Sequence, residues 1–395
     1  WHFWRDPLPK LEHEIYLIAA VRTPIGKFGG GLAKLTAAEL GTASARATLE
    51  RSGIDPAAVD EVIFGNARQA GVGPNVARQI AVRSGLRHEV PAYTVNQACG
   101  SGLRAIMNAA DQIRLGHVAV VLAGGTESMS NTPYLLTRAR WGMRMGHGEV
   151  IDGMVRDGFM CPLADEMMGS TAETLADRYE ISREEQDRFA VQSQLKASRA
   201  YAEDRFANEI VPVSGVDRDE HPRFDASLDS MARLPAVFRK GGTVHAGNSS
   251  GVTDGAASML VASGTAVEHH GLEPMARVIG YAQAGVDPKV MGIGPVPATR
   301  RLLEETGMTL DAIDLIELNE AFAAQVIACD RELHFDRARL NVHGGAISLG
   351  HPIGATGARI TTTLLHALQL RKKRTGLATL CISGGMGLSM IVEAC

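Results

Sequence analysis

No apolar run in this chain approaches the roughly 20 residues that a membrane-crossing helix needs. Its five cysteines (Cys99, Cys161, Cys329, Cys381 and Cys395) are odd in number and lack CxxC or His-pair spacing. Neither a disulfide framework nor a zinc site is expected, and a reducing compartment, the cytoplasm, is the default. No sign of charge dominates: 40 Lys and Arg face 44 Asp and Glu, for a net charge of -4. That balance argues against nucleic acid or a membrane surface as a partner. A GxGxxG segment between a strand and a helix is missing as well, since Gly71-Val72-Gly73 does not complete one. The start, Trp1-His2-Phe3-Trp4-Arg5-Asp6-Pro7, lacks both an initiator Met and a signal-peptide core. The first fourteen or so residues are therefore read as an extension from processing or cloning, apart from the folded core.

What is present is a soluble globular composition. Over 395 residues, 45% are hydrophobic and 21% charged, so a large core in two or three packed units is expected. Two segments far apart read alike: Ala58-Val59-Asp60-Glu61-Val62-Ile63-Phe64-Gly65 and Ala312-Ile313-Asp314-Leu315-Ile316-Glu317-Leu318-Asn319. A second likeness follows at nearly the same offset. In one copy a Gly-rich turn around Cys99 leads to a helix, Gly116, and the strand Val118 to Ala123 ending in Gly124-Gly125. In the other a Gly-rich turn around His351 leads to a helix, Gly376, and Leu377 to Ile382 ending in Gly384-Gly385. Two copies of one α/β unit follow.

After Cys99, Leu103, Ile106, Met107, Ala110 and Ile113 recur at intervals of three and four, a core-facing helical stripe that Gly116 ends. The strands of both copies are near-continuous apolar runs, as in sheets covered by helices on both faces. The expected fold is a duplicated α/β sandwich of five layers. The stretch from Ser128 to Ser250 has no counterpart in the second copy. It carries six methionines between Met143 and Met168, a charged helical run from Thr171 to Arg205, and the polar loop Asp217 to Arg223. It reads as an inserted loop domain.

Three turns carry groups that fit covalent chemistry. Asn96-Gln97-Ala98-Cys99-Gly100-Ser101-Gly102 sets a cysteine before a helix start, where the dipole and free N–H groups favour a thiolate. Glycines after it would let a thioester approach closely. Gly350-His351-Pro352-Ile353-Gly354-Ala355-Thr356-Gly357 offers a histidine in the matching turn, and a positioned histidine is the usual base for a thiol. Cys381-Ile382-Ser383-Gly384-Gly385 supplies a second thiol at a strand end. Together they suit acyl transfer with a thiol leaving group. Asn319-Glu320-Ala321-Phe322 ends the repeat strand, where Asn319 either orients water or a carbonyl oxygen or simply caps a helix over Ala321 to Ala328. Singly, Cys99 also fits a buried structural cysteine and His351 a backbone-satisfied helix residue.

From about Ile15 to the C-terminus the chain resembles the thiolases, acyl-CoA:acetyl-CoA C-acyltransferases. Asn-x-x-Cys-x-Ser-Gly, Asn-Glu-Ala-Phe, Gly-His-Pro-x-Gly-x-x-Gly and Cys-x-x-Gly-Gly appear in the family's order. The resemblance implies a duplicated thiolase fold: an N-terminal half over 15–127 and 251–280, a loop domain over 128–250, and a C-terminal half over 281–395. It implies that Cys99 is acylated and that His351 activates it. Cys381 would serve as acid and base on the acetyl Cα, and Asn319 would hold a water. The oxyanion holes would draw on Cys99, Ser383, His351 and Asn319. Coenzyme A enters as a substrate, with no tightly bound cofactor and no metal, nicotinamide or flavin required. By the same resemblance Arg223 and Ser230 contact the CoA nucleotide, Ser250 lines the pantetheine channel and Met291 the substrate loop. A homodimer or homotetramer is implied, with acyl-CoA and CoA as partners.

Two departures stand out. The family's Cys-x-Gly-Gly-Gly has Ser383 in place of its first glycine, which adds strain of roughly 1–2 kcal/mol if that position needs a positive φ. Met167-Met168-Gly169 stands where acetoacetyl-CoA enzymes of the family show His-Met-Gly, so Met167 points to a more apolar acyl pocket, longer chains and a degradative role in β-oxidation. The alternatives are a biosynthetic acetoacetyl-CoA thiolase, a ketoacyl synthase, and a non-catalytic CoA-binding subunit. Cys381 and Asn319 weigh against the synthase, and the presence of Cys99, His351 and Cys381 together weighs against the silent subunit.

Overall fold

The computed structural model describes residues 14–395, so residues 1–13, the body of the expected extension, lie outside them. The main strands are β1 (Ile15–Arg22), β2 (Glu61–Gly65), β3 (Ala92–Val95), β4 (Val120–Ser128), β5 (Thr253–Ser263), β6 (Pro274–Gly285), β7 (Leu315–Leu318), β8 (Thr375–Ile382) and β9 (Met386–Ala394). The main helices are α1 (Ala37–Ser52), α2 (Val76–Arg83), α3 (Ser101–Arg114), α4 (Met168–Arg178), α5 (Arg183–Ala202), α6 (Pro295–Thr306), α7 (Ala323–Leu333) and α8 (Thr356–Arg371).

All nine strands belong to one sheet, in the order β7-β8-β9-β6-β1-β5-β4-β2-β3, with the short strand Gly26–Lys27 added on β5. The order reads the same from the centre outward. From β1, two antiparallel pairings (β5, then β4) are followed by a parallel one to β2; from β6, two antiparallel pairings (β9, then β8) are followed by a parallel one to β7. The antiparallel pair β1–β6 joins the halves. The duplication read from the sequence is thus a pseudo-twofold through the β1–β6 seam.

Helices complete five layers. α1 and α2 cover one face of the first half, α6 and α7 cover the second half, and α3 and α8 pack on each other between the two half-sheets. The composition of α8 explains its place: Thr356 to Leu368 is buried on every side, so it has no solvent face. In α3 the expected stripe Leu103, Ile106, Met107, Ala110 and Ile113 is at most 2% exposed, and Gly116 takes φ 72° at its end. The two central helices touch through glycine. A Cβ on Gly102 would lie 2.8 Å from the Ala358 nitrogen, and one on Gly357 2.2 Å from the Leu103 nitrogen. Close crossing of α3 and α8, rather than access for a thioester, accounts for Gly102. Gly100 likewise faces Ile382, whose Cδ1 is 2.6 Å from a Cβ built there.

Between β4 and β5 lies the region expected as a loop domain. The charged run expected from Thr171 to Arg205 is two helices, α4 and α5, because the chain turns at Tyr179–Ser182 with Glu180 at φ 51°. A buried charge cluster ties this region to β1. Arg22, wholly buried, meets Glu209 at 2.6 Å and Asp219 at 2.7 Å, and Asp219 also accepts from the Ile25 N–H at 2.7 Å. Each charge is paired, as burial requires. Among the described residues no helix is long and apolar enough to cross a membrane.

Candidate active site

The candidate residues gather where the parallel strands of both halves end. Cys99 follows β3, Asn319 follows β7, Cys381 is the penultimate residue of β8, and His351 precedes α8. Adjacent strands bring Asn319 beside Cys381, since Leu318 pairs with Thr379 and the Asn319 N–H donates to the Thr379 carbonyl at 3.0 Å.

The turn around Cys99 is held by the two polar residues of its motif. Asn96 Oδ1 accepts from the Ala98 N–H at 3.0 Å. Ser101 Oγ accepts from the Gln97 N–H at 2.9 Å and donates to the Ala98 carbonyl at 2.7 Å. Between them Ala98 is forced to φ 45°, a left-handed conformation that costs a non-glycine residue roughly 1–2 kcal/mol. The spacing Asn-x-x-Cys-x-Ser is therefore a clamp that presents Cys99, half-buried, at the end of α3.

The Cys99 thiol faces the Ser383 N–H and its own N–H. Burial raises its pKa above the ordinary value, while the Ser383 N–H and the charge of Arg68 pull the other way. In the free protein the thiol is favoured over the thiolate, which corrects the expectation from the helix dipole. Burial pushes Cys381 well above the ordinary thiol range, and the nearby Cys99 adds to it. The strain expected at Ser383 is absent: positive φ falls on Gly384 (87°) and Gly385 (86°), so serine is tolerated at the first position.

His351 is 6% exposed, and burial pushes its pKa down to about 3, with the charges of Arg359 and Arg68 acting the same way. It is a neutral imidazole. Its Nδ1 lies 2.6 Å from Thr356 Oγ1, whose own proton goes to the Pro352 carbonyl at 3.0 Å. The hydroxyl must then accept from Nδ1–H, which leaves Nε2 with its lone pair free. Nε2 faces Asn319 Nδ2 at 3.5 Å. Asn319 Oδ1 is buried without a partner, and the helix cap expected of it is not made: α7 begins after Phe322. Glu320 braces the turn, accepting from Asn341 Nδ2 at 2.8 Å and Ser193 Oγ at 2.7 Å.

Glu127, at the end of β4, was not singled out from the sequence, yet it joins the two halves. Its carboxylate accepts from Asn66 Nδ2 (2.8 Å), the Ala67 N–H (3.2 Å), the Arg68 N–H (3.1 Å) and, across the halves, the Gly354 N–H (2.8 Å). No motif flags a carboxylate three of whose four donors are backbone amides.

The remaining expected residues divide. Met291 packs with Cys381, Phe322, Met168 and Phe238 in one apolar cluster. Met167 is half-buried and pairs with Met160 in a two-residue ladder, so Met168, not Met167, belongs to that cluster. The Ser250 N–H donates to the Ala321 carbonyl at 2.9 Å, which puts Ser250 beside the Asn319 turn. Arg223 is exposed; its N–H donates to Gln194 Oε1 at 2.8 Å and its carbonyl accepts from the Ala226 N–H at 3.2 Å, while its guanidinium makes no hydrogen bond among the described residues. The Ser230 hydroxyl closes a capping box, accepting from the Ser227 N–H at 3.0 Å and donating to its carbonyl at 2.8 Å. Neither Arg223 nor Ser230 is hydrogen-bonded to Cys99, Asn319, His351 or Cys381.

Two family models match nearly the whole described chain: Thiolase, N-terminal domain, over residues 15–265, and Thiolase, C-terminal domain, over residues 272–394. The acetyl-CoA acetyltransferase of Pseudomonas aeruginosa is 50% identical over 95% of this chain and 98% of its own length, and that of Escherichia coli is likewise 50% identical over 95% and 98%. Among solved structures, the Bacillus anthracis acetyl-CoA acetyltransferase superposes with a TM-score of 0.95 at 45% identity, covering 97% of this chain and 99% of that one. The human mitochondrial 3-ketoacyl-CoA thiolase in complex with CoA also reaches 0.95, at 41% identity over 98% of this chain and 99% of that one.

Proposed function

The chain belongs to the thiolase family and is an acyltransferase, and on that premise we propose that it catalyses CoA-dependent cleavage of 3-ketoacyl-CoA and the reverse condensation through an acyl group on Cys99. The observation that carries this reading is the arrangement of two thiols, Cys99 and Cys381, with a neutral His351 whose Nε2 is unprotonated.

In this reaction His351 Nε2 takes the Cys99 proton as sulfur attacks the 3-keto carbon. The Cα–Cβ bond breaks, its electron pair goes to the acetyl-CoA carbon, and Cys381 protonates that carbon. The CoA thiol then gives its proton to the Cys381 thiolate, and its sulfur takes the acyl group. Cys99 leaves as thiolate and recovers its proton from His351. The N–H groups of Cys99 and Ser383 bind one developing oxyanion; His351 and Asn319, with a water on Oδ1, bind the other. A high thiol pKa suits Cys381, which must stay protonated until a carbanion appears. Coenzyme A is the substrate, with Arg223, Ser230 and Ser250 along its path and Met167 and Met291 beside the acyl group.

The degradative direction, with broad chain length, is preferred over acetoacetyl-CoA synthesis because an apolar cluster of Met168, Met291, Phe238 and Phe322 adjoins Cys381. A cytoplasmic location fits five unpaired cysteines. A homodimer or homotetramer fits the exposed apolar side chains Trp141, Met145 and Leu163 in the inserted region. We place that region at 128–250. The first half is proposed at 15–127 and 251–280 and the second at 281–395; moving that last boundary to Pro274 would keep β6, which pairs with β9 from Ala276 to Gly285, in one piece.

Thiolysis of a chain-length series of 3-ketoacyl-CoAs by purified protein tests the reading. Turnover is expected, with an acyl adduct by mass spectrometry that Cys99→Ala abolishes. Turnover surviving in Cys99→Ala overturns it. Cleavage of acetoacetyl-CoA alone would overturn the degradative preference and leave the chemistry standing.

A further inference from the structure

Three arginines are buried among the described residues, and two of them meet carboxylates: Arg22 with Glu209 and Asp219, and Arg359 with Glu317 at 3.4 Å. Arg68, 5% exposed, has no carboxylate oxygen within 4.0 Å of its guanidinium among the described residues. Nη1 donates to the Asp157 carbonyl at 3.2 Å, while Nε and Nη2 have no partner. The guanidinium lies flat on Gly158, where a Cβ would come within 2.0 Å of Nη2, and its carbon sits 5.8 Å from the Phe159 ring centroid. The neighbouring carboxylate, Glu127, is spent on four other donors.

A buried cation with two unspent donors is costly unless something of opposite charge completes it. Its position says what could. Phe159 and Cys99 both pack against one buried apolar cluster, Ala67, Met129 and Ile353, which Met154 and Val252 also flank, and the Phe159 ring carries Arg68. An acyl group on Cys99 that ran along this wall would find apolar surface first and then a guanidinium fork, which matches a carboxylate through two parallel bonds.

We propose that Arg68 is a specificity-determining residue and that this protein prefers 3-ketoacyl-CoA thioesters whose acyl chain ends in a carboxylate. The assignment rests on the thiolase reading above, since it places the acyl group on Cys99. A methyl-ended chain would leave Nε and Nη2 unpaired, and sites with unpaired polar groups discriminate more strongly than apolar pockets do.

The test uses matched pairs of equal carbon number: 3-ketoadipyl-CoA against 3-ketohexanoyl-CoA, and the corresponding eight-carbon pair, with thiolysis followed by loss of the 3-keto thioester. In the unaltered protein kcat/KM is expected to favour the carboxylate member of at least one pair by roughly a hundredfold or more. In Arg68→Met that ratio should fall by about the same factor, and Arg68→Lys, which keeps the charge and loses the fork, should lie between. A ratio near one in the unaltered protein, which needs no variant to fold, overturns the proposal. So does a ratio that Arg68→Met leaves unchanged, because a role confined to the Cys99 thiol would lower both members of a pair together. Turnover of the methyl-ended members alone removes only the assignment of Arg68, whereas no turnover of any thioester and no adduct on Cys99 removes the thiolase reading itself.

Discussion

Thr356 Oγ1 sits 2.6 Å from Nδ1 of His351 and, by giving its own proton to the Pro352 carbonyl, fixes which imidazole nitrogen is bare. The hydroxyl thus sets a tautomer that burial alone leaves undetermined. Thr356→Val keeps the volume and removes the acceptor, so Nε2–H becomes available and the base is lost in part of the population. We expect kcat/KM to fall roughly 10- to 100-fold, the range typical of partners that orient an imidazole. Thr356→Ser should restore most of it, and equal damage from both variants would show that packing, not the hydroxyl, matters.

The pH dependence of Cys99 alkylation should follow the thiol alone. With the Cys99 pKa raised and His351 held near 3, no thiolate–imidazolium pair forms in the free protein. Thiolate therefore accumulates only as pH rises past the ordinary thiol range, about 8.5. Inactivation by iodoacetamide should climb from about pH 7 to pH 10 with no step between about pH 4 and 7. A plateau already reached below pH 7 would contradict this account.

It is the Ser383 N–H that faces the Cys99 thiol, and on the proposed reading this donor, not the hydroxyl, serves the oxyanion. Ser383→Gly should therefore stay within about threefold of the parent in kcat, because the left-handed positions are Gly384 and Gly385. Ser383→Pro deletes the donor aimed at Cys99 and should cost roughly 100- to 1000-fold, as loss of one oxyanion donor does. If proline and glycine behaved alike, the N–H would have no part in catalysis.

His343 offers a stability measurement. It is 3% exposed, its Nδ1 lacks a partner, and burial lowers its pKa to about 4 from 6.5. Below 6.5 the unfolded chain binds a proton there that the folded chain refuses, so folding loses about 1.4 kcal/mol per pH unit from about 6.5 down to about 4. His343→Gln removes that penalty. Urea unfolding at successive pH values should show the parent losing ground to the variant by this slope, and parallel curves would place His343 in contact with water.

Much of the architecture was legible because duplication writes a repeat into the chain: Val62-Ile63-Phe64 and Leu315-Ile316 are strands in matching places of the two halves. Cys99 and His351 could be picked out as candidates because each sits in a glycine-rich turn, and Cys381 and Asn319 because each stands at or just past the end of an apolar strand. Reading single turns misled where two turns meet. Gly100 and Gly102 looked like room for a substrate, but they are room for Ile382 and for α8, and only the packed pair of halves reveals it. Glu127, Arg68 and Thr356 stayed hidden for a related reason. A buried polar side chain is defined by what surrounds it, and those surroundings come from residues up to 227 positions away. The split of α4 from α5 was missed because the charged pattern continues across Tyr179–Ser182 while the backbone does not.

The seam between the halves also sets a timetable for synthesis. β1 lies between β5 and β6, with Ile15 opposite Ser263 and Leu17 opposite Ala276. This strand must wait for partners translated some 240 residues later, roughly 10 to 50 seconds at ordinary rates of elongation. Until then the emerging chain exposes Ile15, Leu17 and Val21, all fully buried at the end. Neither half can close before β5 has been made, so a nascent chain stalled short of residue 253 should be held by chaperones rather than fold as an independent domain.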